Sequence, residues 1–349
     1  MMEPNTDQIL KLLMRESEDN SNWNIDLDCF ILKIIPISSL ELLWVISSEE
    51  HVFLVDSRNG KIINKFQNVA ELIFSGVIHP ISNDLLISTS NGVFLLNTQG
   101  NIINLVNEAD WFEHICISSD GNVLFTAKGK TLYIFEQKNN GYELISKDTS
   151  FNSTISDIIF NIDSFLVSNY GSVREYKTTN FNDYNLFEWK TSLLTLSWSS
   201  NKKYIAAGTQ ENNIHFWPYP FENDTDFQIS GYPTKITEII WANNSTELVI
   251  NCLDDVQIWD FSNGPPTGKQ PLTFKCGLGK ITSIEYNGSL LVAASEKGYI
   301  FYFKPSDSEK FVQMHSINDE ISCISMNKTE SQLYVGSKSG LISNFEIDF

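Results

Sequence analysis

The sequence predicts an all-β protein, a closed β-propeller of four-stranded blades, with eight blades expected and seven as the alternative count. Two observations carry this prediction. A strand-turn-strand hairpin recurs eight times, and the strands that precede the copies end 38 to 45 residues apart. A repeat of this length with four short strands is the period of a propeller blade. Such a blade is apolar on both faces and buries them only by stacking against its neighbours, so the blades form a ring.

Each hairpin joins a strand that ends in small residues to a strand rich in aromatic side chains. Small residues such as Ala206, Ala207 and Gly208 suit the crowded region near the ring axis, whereas aromatic residues such as Trp217 fill the wider space between blades. The eight copies span residues 42–56, 85–97, 124–136, 165–177, 204–217, 248–260, 291–303 and 333–345. The strand before each hairpin ends at Ile35, His79, Ile117, Phe160, Trp198, Trp241, Tyr286 and Met326.

The last copy lacks a fourth strand, because the sequence stops at Phe349. Residues 23–28 alternate apolar and polar side chains, which is the period of a half-buried strand. We expect this strand to pair near residues 341–345, to supply the missing outer strand of the last blade and to close the ring. Closure removes open sheet edges that would promote aggregation. Residues 23–349 are therefore predicted to form one propeller domain.

Residues 1–22 are predicted to form an N-terminal helical extension. Thr6 and Asp7 can cap a helix that runs to about Glu16. Ile9 and Leu12 fall on one helical face, together with Leu13. Two interpretations are open: the helix packs on the rim of the propeller, or it docks on another protein.

The eight-unit pattern resembles the WD40-repeat family over essentially the whole chain after residue 22. The repeats are degenerate: the family's Trp-Asp dipeptide occurs once, at Trp259-Asp260, and its Gly-His pair is absent. Residues 230–235 and 259–265 resemble a subgroup of that family without an assigned activity. The resemblance implies a non-enzymatic scaffold that binds a partner protein, of unknown identity, on a face of the ring.

The amino-acid composition limits which kinds of partner we expect the protein to bind. The formal net charge is −19, and a chain this acidic repels phosphate backbones, so we expect no nucleic-acid partner. The acidity predicts either simple solubility or electrostatic steering toward a basic partner. We find no signal peptide or long apolar run, so we expect no membrane association and a monomer in the cytoplasm. The five cysteines are far apart, which favours free thiols in a reducing compartment.

No motif for catalysis, cofactor binding or metal binding is present, so we predict no enzyme and no cofactor. The five histidines lie in different units, and His114 is the one that could line the axis. The alternative function is a propeller hydrolase with a metal in the central channel, since a propeller fold does not by itself decide function.

The partner is expected to bind on the face formed by loops before the first strand and between the second and third strands of each blade. Exposed aromatic residues with a few charges are typical of interface anchors and their rim. The residues predicted to bind the partner are Trp111, Tyr170, Tyr232, Lys235, Lys280 and Glu320. The alternative for Trp111 and Tyr232 is that they plug loops against neighbouring blades.

Overall fold

The computed structural model describes residues 21–106, 110–139, 141–220, 225–303, 311–327 and 331–347. These residues form thirty strands and two single-turn 3-10 helices (Ser38–Leu40 and Asn243–Ser245), and none of them belongs to an α-helix. The helix predicted to run from Thr6 to about Glu16 lies outside the described residues.

Hydrogen bonding groups the strands into seven sheets. Strand β1 (Trp23–Asp26) belongs to the last of them. The first three sheets contain β2 (Ile31–Ile37), β3 (Leu42–Ser47), β4 (Val52–Asp56) and β5 (Ile62–Phe66); β6 (Ile73–Ile78), β7 (Leu85–Thr89), β8 (Gly92–Leu96) and β9 (Ile102–Val106); and β10 (His114–Ile117), β11 (Val123–Lys128), β12 (Thr131–Lys138) and β13 (Gly141–Asp148).

The fourth sheet contains β14 (Asp157–Asn161), β15 (Ser164–Lys177), β16 (Asn180–Trp198), β17 (Tyr204–Thr209), β18 (Ile214–Pro218) and β19 (Phe227–Ile229). The next two contain β20 (Ile239–Ala242), β21 (Glu247–Cys252), β22 (Asp255–Asp260) and β23 (Leu272–Lys275), then β24 (Ile281–Tyr286), β25 (Leu291–Ser295), β26 (Tyr299–Phe303) and β27 (Phe311–Ser316). The last contains β28 (Ile321–Asn327), β29 (Gln332–Ser337), β30 (Leu341–Glu346) and β1.

The sheets stack face to face around an axis, which makes the molecule a β-propeller. The first strand of each sheet is innermost, as is the second part of β16 in the fourth sheet, and β2 contacts both β6 of the second sheet and β28 of the last sheet. Apolar clusters fill the space between neighbours. Trp44 and Leu54 of the first sheet pack with Ile87 of the second. Phe53 of the first packs with Tyr334 of the last, so the ring is closed.

The last sheet, here called the closing sheet, takes its outer strand from the other end of the described chain. Strand β1 pairs antiparallel with β30, with Trp23 opposite Asn344. This is the pairing expected for residues 23–28, although the strand ends earlier. It stops at Asp26 because Asp28 has a φ of 52° and its N–H donates to the Asp26 side chain at 2.9 Å. The Trp23 indole N–H donates to the Ser57 carbonyl at 3.0 Å, which ties the closing strand to the first sheet.

The prediction of eight blades is wrong, and the seven sheets agree with the alternative count of seven blades. The six-stranded sheet, here called the fused sheet, accounts for the difference. Its strand β16 is 19 residues long and pairs with β15 through its first part and with β17 through its second. Strand β15 doubles back near Gly171 (φ 89°), since the Thr178 N–H donates to the Asp163 carbonyl at 3.0 Å. One continuous strand thus unites the fourth and fifth predicted units.

Candidate protein-binding face

One face of the ring, here called the upper face, is built from two sets of loops. One set joins the second and third strands of each sheet, and the other enters the inner strand of the next unit. Backbone hydrogen bonds hold them together: the Phe112 N–H donates to the Thr89 carbonyl at 3.0 Å, and the Ile155 N–H donates to the Gly129 carbonyl at 2.8 Å. All six residues predicted to bind a partner lie on loops or turns of this face.

Trp111 is the most prominent aromatic residue of the loop that enters β10. Its side chain is 53% exposed and packs against Phe74, with ring centroids 5.3 Å apart. The Trp111 N–H donates to the Asp110 carboxylate at 2.9 Å, and Asp110 pairs with Lys128 at 2.8 Å. The loop is therefore held from both sides while the indole stays exposed.

Tyr170 lies at the turn inside β15 and borders a cavity of about 320 Å³. Its side chain is 59% exposed, and its backbone N–H donates to the Ser153 hydroxyl at 2.9 Å. Glu113 and His114 form another wall, at the start of β10, and the loop before β14 contributes Ser153. Because these segments lead into inner strands, the cavity lies at the mouth of the central channel.

The other predicted residues are not part of this cavity. Tyr232 is buried in an apolar cluster with Phe216 and Trp259, so it plugs its loop against the neighbouring sheet, as the alternative interpretation held. Lys235 and Lys280 are exposed on the loops that enter β20 and β24. Glu320, before β28, forms an ion pair with Lys338 at 2.6 Å. The structure therefore brings Tyr170 together with Glu113, two residues after Trp111, while the Trp111 ring lies against Phe74 and the remaining four residues lie further round the ring.

Two carboxylates bridge neighbouring inner strands in the wall of the channel. Asp157 accepts from the Leu196 N–H at 2.7 Å, and Glu238 accepts from the Ile284 N–H at 2.8 Å. Burial raises the pKa of Asp157 to about 6 and that of Glu238 to about 8. Both side chains satisfy backbone donors that would otherwise be unpaired, which is a structural role.

Lys33 makes a similar bridge between the first two sheets. Its ammonium donates to the Gly76 carbonyl at 3.0 Å. Burial within the ring lowers the pKa of Lys33, and the nearby Glu285 partly offsets that effect. The channel wall therefore contains both acidic and basic side chains, and each bridge links two neighbouring inner strands.

Titratable groups in the rest of the described chain are the remaining candidates for a metal or catalytic site. Among the described residues, no group of three or more His, Cys, Asp or Glu side chains could hold a metal ion. His215 is fully buried and stacks on Trp189 with centroids 3.6 Å apart, and burial lowers its pKa to about 3. Burial raises the pKa of Cys116 to about 12. In the described part of the chain, no helix has the length and apolarity needed to cross a membrane.

Sequence reasoning missed Glu113 as a cavity residue and Lys33, Asp157 and Glu238 as bridges. A signal was present, because a charged residue interrupts, begins or directly precedes a largely apolar inner strand at each bridge. The identity of the bridged neighbour depends on how the sheets stack, and a single strand does not contain that information.

No protein-family model matches the sequence, and no curated protein matches it. Solved structures do resemble it in fold. The computationally designed Ika8 protein is 12% identical, with a TM-score of 0.77 over 94% of this chain and 99% of that chain. Saccharomyces cerevisiae Sqt1 is 12% identical, with a TM-score of 0.76 over 95% and 100%. A chain of the mitotic checkpoint complex is 12% identical, with a TM-score of 0.62 over 77% and 88%. At this level of identity the likeness shows a shared propeller fold.

Proposed function

We propose that this chain is a non-enzymatic scaffold of the WD40-repeat type that binds a partner protein through its upper face. The observation that supports it most is the exposed Trp111 indole on a braced loop beside the cavity at Tyr170. Tryptophan and tyrosine are enriched among the few residues that carry most interface energy. One chain of similar fold is part of the mitotic checkpoint complex, so the fold suits assembly with other proteins.

The proposal includes a monomer in the cytoplasm, with residues 23–349 as one domain and without a nucleic-acid, membrane or cofactor partner. The net charge of −19 supports the exclusion of nucleic acid, because phosphates would be repelled. Lys235, Lys280 and Glu320 are proposed as rim residues of the same face, where charges tune the rate of encounter more than affinity.

Affinity capture from native extract tests the proposal with a Trp111→Ala, Tyr170→Ala double variant. Both side chains are more than half exposed, so the variant should fold normally and lose the partner that the wild type retains. Ile81→Ala, Ile162→Ala is the matched control, because these exposed apolar residues lie on the opposite face, in turns between first and second strands.

A partner that is retained by the first variant and lost by the control would place the binding site on the opposite face. Stoichiometric calcium or zinc that survives dialysis of the purified protein would favour the alternative, a hydrolase with a metal in the central channel.

A further inference from the structure

The cavity beside Tyr170 has a net negative character. Among the described residues that line it, Glu113 is the one with a carboxylate, and none is a lysine or an arginine. His114 adds no positive charge at neutral pH, because burial lowers its pKa below the usual range. A neutral imidazole and a carboxylate side chain therefore share one wall.

Two lysines on segments that adjoin the cavity lining are engaged elsewhere. The Lys130 ammonium donates to the Asn152 carbonyl at 2.8 Å. The Lys190 ammonium lies 5.3 Å from the centre of the Trp189 ring. The Glu113 carboxylate thus has no cation among the described ion pairs.

The remaining walls suit a planar cation. The Tyr170 ring offers an aromatic face, which attracts a guanidinium electrostatically. The hydroxyls of Thr154 and Ser192 can accept hydrogen bonds, since each hydroxyl oxygen carries two lone pairs. A volume of about 320 Å³ exceeds what one long side chain needs, so the cavity can admit such a group with part of its hydration.

We propose that this cavity receives an arginine side chain from the partner protein, held by the Glu113 carboxylate and the Tyr170 ring. The inference rests on the proposed protein-binding function and adds the chemistry of the partner segment. Arginine fits better than lysine, because its planar fork bonds a carboxylate bidentately while its face stacks on an aromatic ring. The net charge of −19 would speed the approach of a basic segment.

The test uses two acetylated and amidated Gly-Ser heptapeptides that are identical except at the centre, one with arginine and one with its neutral isostere citrulline. Binding is followed by NMR on the isotope-labelled full chain. We expect the arginine peptide to shift amides near Tyr170 and Ser192 and to bind about tenfold more tightly than the citrulline peptide. Glu113→Gln should abolish this preference.

Glu50→Gln is the matched control, because it removes the same charge from another exposed loop of the upper face. It should keep the preference for arginine. Equal affinity for the two peptides, equal effects of Glu113→Gln and Glu50→Gln, or no binding of the arginine peptide at millimolar concentration would each overturn the inference. The proposed function fails separately, when the Trp111→Ala, Tyr170→Ala variant retains its partner in the capture experiment.

Discussion

The closing sheet joins two segments that are far apart in sequence, whereas the fused sheet joins neighbouring units through one strand. Asn22 and Asn344 are hydrogen-bonded at 3.1 Å although 322 positions separate them. In the fused sheet, β16 passes from one unit to the next without a break. Bringing distant segments together costs loop-closure entropy, and a continuous strand costs none. The β1 ladder and the contacts of Trp23 must therefore offset an entropy cost at the closing junction that the fused junction does not have.

The largest effect should come from removing the closing strand. Deleting residues 1–28 eliminates the β1 ladder and the packing of Trp23 and leaves β30 as an open edge. Losing a packed tryptophan and several hydrogen bonds costs about 4 kcal/mol, which corresponds to a fall in Tm of roughly 5–10 °C. Differential scanning calorimetry measures this fall in Tm. The control is deletion of residues 1–20, which keeps β1, and equal Tm values for the two deletions would refute a stabilising role for closure.

The next comparison uses two glycines at matching positions in second strands, one in the fused sheet and one in the closing sheet. A Cβ on Gly208, in the fused sheet, would lie 2.2 Å from the Ile236 carbonyl oxygen, which is backbone. A Cβ on Gly336, in the closing sheet, would meet the side chains of Ile31 and Cys323 at 2.6 and 2.8 Å. We expect Gly208→Ala to lower the free energy of unfolding by about 3 kcal/mol and Gly336→Ala by about 1 kcal/mol.

Urea denaturation of both glycine variants measures the difference. Equal losses would mean that the Ile236 backbone beside the fused sheet yields as easily as the side chains of Ile31 and Cys323 do at the closing sheet.

Inner-strand bridges in the two regions should respond differently to pH. In the fused sheet the bridge is the Asp157 carboxylate, whose pKa burial raises to about 6 from an ordinary value of 3.8. Across the closing junction it is the Ser322 hydroxyl, which donates to the Ile31 carbonyl at 2.6 Å. Because folded Asp157 holds its proton more tightly than the unfolded chain does, its contribution to stability is lost as pH rises from about 4 to about 6.

We therefore expect the free energy of unfolding of Asp157→Asn to rise relative to that of the wild type by about 1–2 kcal/mol between pH 4 and pH 7. This is less than the full pKa shift implies, because the channel admits water. Ser322→Ala should differ from wild type by the same amount at both pH values. Urea titrations at the two pH values decide this, and a pH-independent Asp157→Asn difference would contradict it.

The smallest effect concerns the ion pair between Glu320 and Lys338 on the closing sheet. Both side chains are about half exposed, and exposed pairs contribute little to stability. Glu320→Gln should leave Tm within about 1 °C of wild type in a thermal melt. If it also left partner capture unchanged, Glu320 would be excluded from the binding face.

The sequence was sufficient to predict the propeller, because the repeat length is that of a propeller blade. The small residues around Gly208 indicate crowding near the axis. It also predicted the pairing of residues 23–28 with the last sheet, since an unpartnered half-buried strand must pair somewhere. It did not predict the fused sheet. Whether the chain turns or continues through Trp189 depends on hydrogen bonds with β15 and β17, which are set by both neighbours at once.

The binding face was predictable only in outline. The loops could be assigned to one face from the repeat, and Trp111 and Tyr170 are indeed exposed. The sequence did not distinguish Tyr232 from these two exposed residues, because its burial depends on Phe216 and Trp259 in two different sheets. The role of Glu113 in the cavity likewise depends on the position of Tyr170, more than fifty residues away in sequence.

The separation in sequence between Asn22 and Asn344 also determines how long β1 must wait for its partner strand during translation. A ribosome adds about 5–20 residues per second, so the closing strand leaves the exit tunnel roughly 15–60 s before its partner β30 is made. Throughout that interval β1 is an unpaired strand with Trp23 uncovered, and the nascent ring has two open edges. Chaperones that shield unpaired strands would thus bind the unfinished ring, and its last step of folding can occur only after β30 has been translated.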